Sequence, residues 1–142
     1  MKTKSKIYSD EEIELLLKNP FVIGVAYNRF IMYDPIFKLW CVLKRFRYPY
    51  ETCRHLFETA GFPIDIMSPK LPQARIKAWE NLFFRYGPEY FTEREMVALI
   101  RKELLKYRMP VRRVQSQLIK EIYSEVDDML DYFNEDIEEN RI

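Results

Sequence analysis

One histidine, two cysteines and three glycines are all that 142 residues contain of these types, and each scarcity excludes something. Cys41 and Cys53 do not form a Cys-x-x-Cys pair. With His55 they supply three ligands, one short of the four that a structural zinc takes. Buried thiols are the simpler reading, because free cysteine behaves as a small hydrophobe. Nothing resembling a nucleophile or an orienting partner accompanies His55, so no catalytic residue, metal or cofactor is expected and the chain reads as a non-enzyme. Few glycines and no Ser/Gly-rich tract argue against long disorder, apart from fraying at MKTKSK and EENRI. No uncharged stretch reaches the ~18 residues of a membrane span. The opening lysines are not followed by the apolar run of a signal peptide. A soluble, cytoplasmic chain without a membrane partner is therefore expected.

What is present suits one compact domain or a small domain with a helical extension, since 48% of residues are hydrophobic and 15% aromatic. The net charge of +1 hides an uneven distribution. Residues 1–34 carry five basic and five acidic groups, 35–86 nine and four, 87–123 eight and five, and 124–142 one and eight. A basic middle followed by an acidic end fits a polyanion-binding module with a separate partner or regulatory surface.

Helix signals dominate. SDEE at 9–12 is a capping box ahead of Ile13, Leu16 and Leu17, which predicts a helix over 10–18 that Asn19-Pro20 stops. FVIGVAYNRFIMYD reads as a hairpin of 21–26 against 29–33, turning near Asn28. Asp34 as N-cap and Pro35 at the first position open a helix over 35–46. A second helix is expected over 50–60, with Gly61 at its left-handed end, and a third from Pro72 to Phe84, closed by Gly87-Pro88. Thr92 with Glu95 reads as a second capping box for a helix over 93–108. Beyond Pro110, Val114, Leu118, Ile122, Val126, Met129 and Phe133 recur by three or four, which predicts a long amphipathic helix over 111–136.

Helices 35–46, 50–60 and 72–84 are the parts of a helix-turn-helix module. Stepping ~100° per residue along the third puts Trp79 and Phe83 within about 60° of Ile76, which defines its buried side. Lys70, Ala74, Lys77, Ala78, Asn81 and Arg85 project opposite. Such a face suits a major groove, because Lys and Arg donate to guanine edges or phosphates, Asn pairs with adenine, and Ala permits close approach. Lys44, Arg45, Arg47 and Arg54 are candidates for the flanking phosphates. An ordinary solvated face would have the same composition.

LLLKNPFVIGV, FIMYDPIFKLWCV, AGFPIDIM and LPQARIKAW, taken in order, resemble a family of small bacterial helix-turn-helix proteins related to the DNA-binding helper subunit of insertion-sequence transposases. The resemblance covers roughly residues 9–86. It implies a trihelical DNA-recognition fold, no catalysis, and Lys70, Gln73, Arg75, Lys77 and Asn81 on or just before the third helix. The loop from Gly61 to Leu71 is longer than the simplest helix-turn-helix has, and Glu80 departs from the more basic third helix usual in the family.

The resulting expectation is an all-α fold with one small β-hairpin, comprising a trihelical helix-turn-helix module over 1–88 and a C-terminal helical extension over 89–142. Double-stranded DNA is the expected partner. Base contacts are expected from Lys70, Gln73, Ala74, Lys77 and Asn81, and phosphate contacts from Lys44, Arg45, Arg47, Arg54, Arg75 and Arg85. Residues 93–137 either fold back on themselves, pair with a second copy as a homodimer, or meet a protein partner. The alternative function is a protein-interaction module that keeps the fold without binding DNA.

Overall fold

The computed structural model describes residues 6–95 and 117–139, with side chains through Asn134. It is mostly helical with one two-stranded antiparallel hairpin. The order is α1 (Asp10–Leu17), β1 (Val22–Ala26), β2 (Phe30–Tyr33), α2 (Pro35–Arg47), α3 (Cys53–Thr59), a 3-10 turn (Ile64–Ile66), α4 (Leu71–Tyr86), a π-helical turn (Tyr90–Glu95) and α5 (Gln117–Glu139).

The first helix forms as its capping box dictates. Glu12 N–H donates to Ser9 Oγ and Ser9 N–H to Glu12 Oε1, at 3.2 and 2.9 Å. Its end is tied to the rest of the fold by Asn19, which is buried. Asn19 Nδ2 donates to the Ala60 carbonyl at 2.9 Å, and its Oδ1 accepts from Phe21 N–H at 2.8 Å. One side chain thus joins the exit of α1, the start of the hairpin and the end of α3.

The hairpin pairs Val22 with Tyr33, Gly24 with Met32, Val25 with Ile31 and Ala26 with Phe30, with a bulge between Val22 and Gly24. Tyr27 and Asn28 at its tip have φ of 55° and 57°. Both central residues are left-handed, the geometry whose twist matches a hairpin. Asn tolerates that region and Tyr does not do so readily, so the tip is held by other bonds. Arg29 N–H donates to the Ala26 carbonyl at 3.0 Å and Tyr8 N–H to the Asn28 carbonyl at 2.8 Å.

The core is an aromatic cluster. Tyr33, Phe37, Phe57, Phe62 and Trp79 stand with neighbouring ring centroids 4.9–6.1 Å apart, within the range where offset and edge-to-face pairs are favourable. They come from β2, α2, α3, the segment after α3 and α4, so this cluster packs α2, α3 and α4 against the hairpin. An isolated hairpin is marginal in water, and these contacts stabilise it.

Two expected elements differ from what forms. The second helix begins at Cys53, because Thr52 accepts from His55 N–H at 3.1 Å and caps it there. The capping box expected at Thr92 does not form. Thr92 Oγ1 donates instead to the Pro88 carbonyl at 3.4 Å, and Glu95 is taken by Lys38 of α2 at 3.1 Å, so Tyr90–Glu95 winds as a π-helical turn. The helix expected over 93–108 lies outside the described residues beyond Glu95, as does 111–116 of the expected last helix.

The long helix α5 docks on α2. Ile119, Ile122, Val126 and Met129 are buried at helical spacing. Trp40 Nε1 donates to Glu125 at 2.8 Å, Tyr123 Oη to the buried Asp34 at 2.7 Å, and Phe133 packs edge-on against Phe46 and Phe83. Asp34 thereby caps α2, accepting from Ile36 N–H at 2.8 Å, and receives α5.

Candidate nucleic-acid interface

The geometry of α4 follows from three residues. Ile76, Trp79 and Phe83 are buried, Trp79 to 4% exposure, and together they fix which side of the helix faces the core. Trp79 stacks on Phe57 with planes 5° apart and meets Tyr33 edge-on at 5.0 Å. Gln73, Ala74, Lys77, Asn81 and Arg85 are exposed along the other side, and Lys70 is exposed at the cap. Phe84, 70% exposed, stands among them. Lys70 caps α4 without a side-chain hydrogen bond, and Pro72 opens its first turn.

The remaining candidates are differently placed. Lys44 pairs with Glu125 of α5 at 3.1 Å and stands 5.7 Å from the Trp40 ring centroid. Arg47 lies 4.4 Å over the Tyr132 ring, also of α5. Arg45 Nη1 donates to the carbonyls of Pro49 and Glu51, which holds the turn after α2, while its Nε is buried without a partner. Arg54 pairs with Glu58 one turn along α3, at 3.2 Å and largely in solvent, an arrangement of small energetic value.

Of the nine cations between residues 35 and 86, Lys38, Lys44 and Arg54 are thus ion-paired, Arg45 is bound to carbonyls and Arg47 is stacked. The other four, Lys70, Arg75, Lys77 and Arg85, have no acidic partner among the described residues. All four lie on α4 or its cap.

Thiol chemistry is suppressed at both cysteines. Burial pushes the Cys41 thiol well up and raises that of Cys53, so neither is a reactive thiolate at neutral pH. No cluster of three or more His, Cys, Asp or Glu positioned for a metal ion occurs among the described residues. No helix among them is long and apolar enough to cross a membrane.

One group of residues escaped sequence reasoning. Lys6, Arg29 and Tyr33 converge with Lys70 and Arg75 on a cavity between the hairpin and the start of α4. They are separated by up to about seventy positions in sequence, and no local spacing connects them. No protein-family model matches the chain, and no curated protein or solved structure matches it.

Proposed function

We propose that the chain binds double-stranded DNA without performing chemistry, and that α3, the 3-10 turn and α4 act as a helix-turn-helix whose second helix enters the major groove. The observation that carries this reading is the concentration on α4 and its cap of cations without an acidic partner among the described residues, together with the burial of Ile76, Trp79 and Phe83 behind them. A rigidly seated helix with an exposed face of Gln73, Ala74, Lys77 and Asn81 has the width and the donor set that the groove accepts. Lys70, Arg75 and Arg85 flank that face and reach phosphates. Lys44 and Arg47 take part only to the extent that they leave Glu125 and Tyr132, whereas the α4 cations have no acidic partner to give up.

Fluorescence anisotropy with a labelled random duplex tests this. Each neutralised phosphate lowers affinity about 3.5-fold between ~50 and ~200 mM salt, so four contacts weaken binding by about two orders of magnitude. Lys77→Ala with Asn81→Ala is expected to erode preference for a selected sequence while leaving the fold intact. Absence of binding at ~50 mM salt overturns the proposal. It favours the second reading, a protein-interaction module, to which the exposed Phe84 and the 92% exposed Tyr50 point.

A further inference from the structure

The cavity beside α4 is built differently from the groove-facing side of that helix. Its volume is about 270 Å³, just below the ~300–1,000 Å³ usual for small-molecule sites. Four cations line it, Lys6, Arg29, Lys70 and Arg75, and no carboxylate among the described residues does. Lys6 is shared with Glu12 at 2.8 Å and with the Ile66 carbonyl. Arg29, Lys70 and Arg75 have no acidic partner among the described residues. They descend from three separate segments, the hairpin tip, the cap of α4 and its first turns, so their convergence is a product of the fold. Like charges placed together repel, and a bound anion relieves that repulsion.

Tyr33 supplies an independent indication. Its side chain is 6% exposed, and its hydroxyl is buried with no hydrogen-bond partner. A buried hydroxyl left unpaired is costly, and such groups are rare. The ring packs in the aromatic core, and Tyr33 also lines the cavity together with Tyr8 and Arg75. Burial raises its pKa far above the tyrosine range, so it is a donor at every physiological pH.

We propose that this cavity is a phosphate-binding site for a small phosphorylated ligand. Arg29, Lys70 and Arg75 surround the phosphate, and Tyr33 donates its hydroxyl hydrogen to a phosphate oxygen. Phe30, Ile31 and Leu71, on the same walls, receive the uncharged part of the molecule. Planar guanidinium groups match two phosphate oxygens at once, which gives selectivity over a monovalent halide. The same phosphate chemistry occurs in a nucleic-acid backbone, so both sources enter the test.

Isothermal titration and thermal unfolding of the full chain with inorganic phosphate, against sodium chloride at matched ionic strength, form the first arm. A duplex oligonucleotide forms the second. Phosphate is expected to raise the unfolding temperature with dose where chloride does not. Tyr33→Phe is expected to remain folded, since it removes a hydroxyl that makes no bond, yet to weaken phosphate about tenfold. Arg75→Gln, an exposed position, is the second variant and is expected to weaken it at least as much. Lys77→Ala with Asn81→Ala, outside the cavity, retains phosphate binding, so the site stands or falls separately from the groove reading. Duplex binding that is lost in Tyr33→Phe and Arg75→Gln without any response to inorganic phosphate overturns the small-ligand site and assigns the bound group to a nucleic-acid backbone. No response in either arm, or responses equal in wild type and both cavity variants, overturns the proposal.

Discussion

Truncating Trp79 to alanine should cost the fold about 3–5 kcal/mol. The indole is 4% exposed and touches Tyr33, Phe37 and Phe57 from three different elements. A buried tryptophan covers roughly 150–250 Å², which at ~25 cal/mol per Å² amounts to about 4–6 kcal/mol for the whole side chain. Alanine keeps a fraction of that area, and the loss of three ring contacts offsets the difference. A domain of this size has about 5–15 kcal/mol of total stability, so the variant is left marginal or unfolded at room temperature. Urea unfolding followed by far-ultraviolet circular dichroism measures the change. Trp40 remains as a fluorescence reporter of α5, because its indole nitrogen donates to Glu125. Trp79→Phe should lose much less, since a ring stays in the cluster. A loss below ~1 kcal/mol for the alanine variant would refute the reasoning, because it would mean that α4 is seated by something other than its indole.

Two further perturbations probe how the elements are tied together. Asn19→Ala removes both bonds of one buried amide and leaves Phe21 N–H and the Ala60 carbonyl unpaired, for an expected loss of about 2–4 kcal/mol by urea midpoint; a change within ~0.5 kcal/mol would show that water reaches both groups. Stability should also fall as pH rises above about 8.5, where unfolded cysteine ionises while the buried Cys41 thiol, raised by desolvation, keeps its proton. The folded state then binds more protons, so the contribution is complete below that pH and declines by up to ~1.4 kcal/mol per pH unit above it. Cys41→Ala should flatten the slope between pH 8.5 and 9.5, and an unchanged slope would exclude this thiol as its source.

What the sequence made legible was the local chemistry. Ser9 and Glu12 find each other within one turn, Asp34-Pro35 opens a helix by its own geometry, and the burial of Ile76, Trp79 and Phe83 follows from their spacing alone. Signals failed where a distant residue competed. Thr92 and Glu95 have the right spacing for a capping box, but Lys38 claims the carboxylate from 57 positions away. Arg45 reads as a free cation and is spent on carbonyls of the turn that follows it. The last helix was legible by its stripe, but not its docking on α2, which depends on Tyr123 reaching a carboxylate 89 positions away. The cavity was illegible for the same reason, since residues 6, 29, 33, 70 and 75 share no periodicity.

The placement of α5 explains why the cations of residues 35–86 that keep no acidic partner among the described residues all lie on α4 or its cap. The last nineteen residues carry eight acidic groups against one basic, and an acidic helix docked on a basic chain neutralises whichever cations it meets. It meets those of α2, where Glu125 takes Lys44 and Tyr132 receives Arg47. Had it lain along α4, the same carboxylates would have cancelled Lys77 and Arg85. Docking on α2 instead leaves the positive potential of residues 35–86 on one helix and the cavity at its start. An approaching polyanion is attracted to the uncancelled side and repelled by the exposed carboxylates of α5, so the field orients the encounter as well as accelerating it. Reversing charge on α5 at Asp127 and Asp128, exposed positions that bury nothing, should therefore raise the association rate at low salt and reduce the selectivity for the α4 side. Dissociation rates should barely change, because these carboxylates touch no ligand in either proposed site.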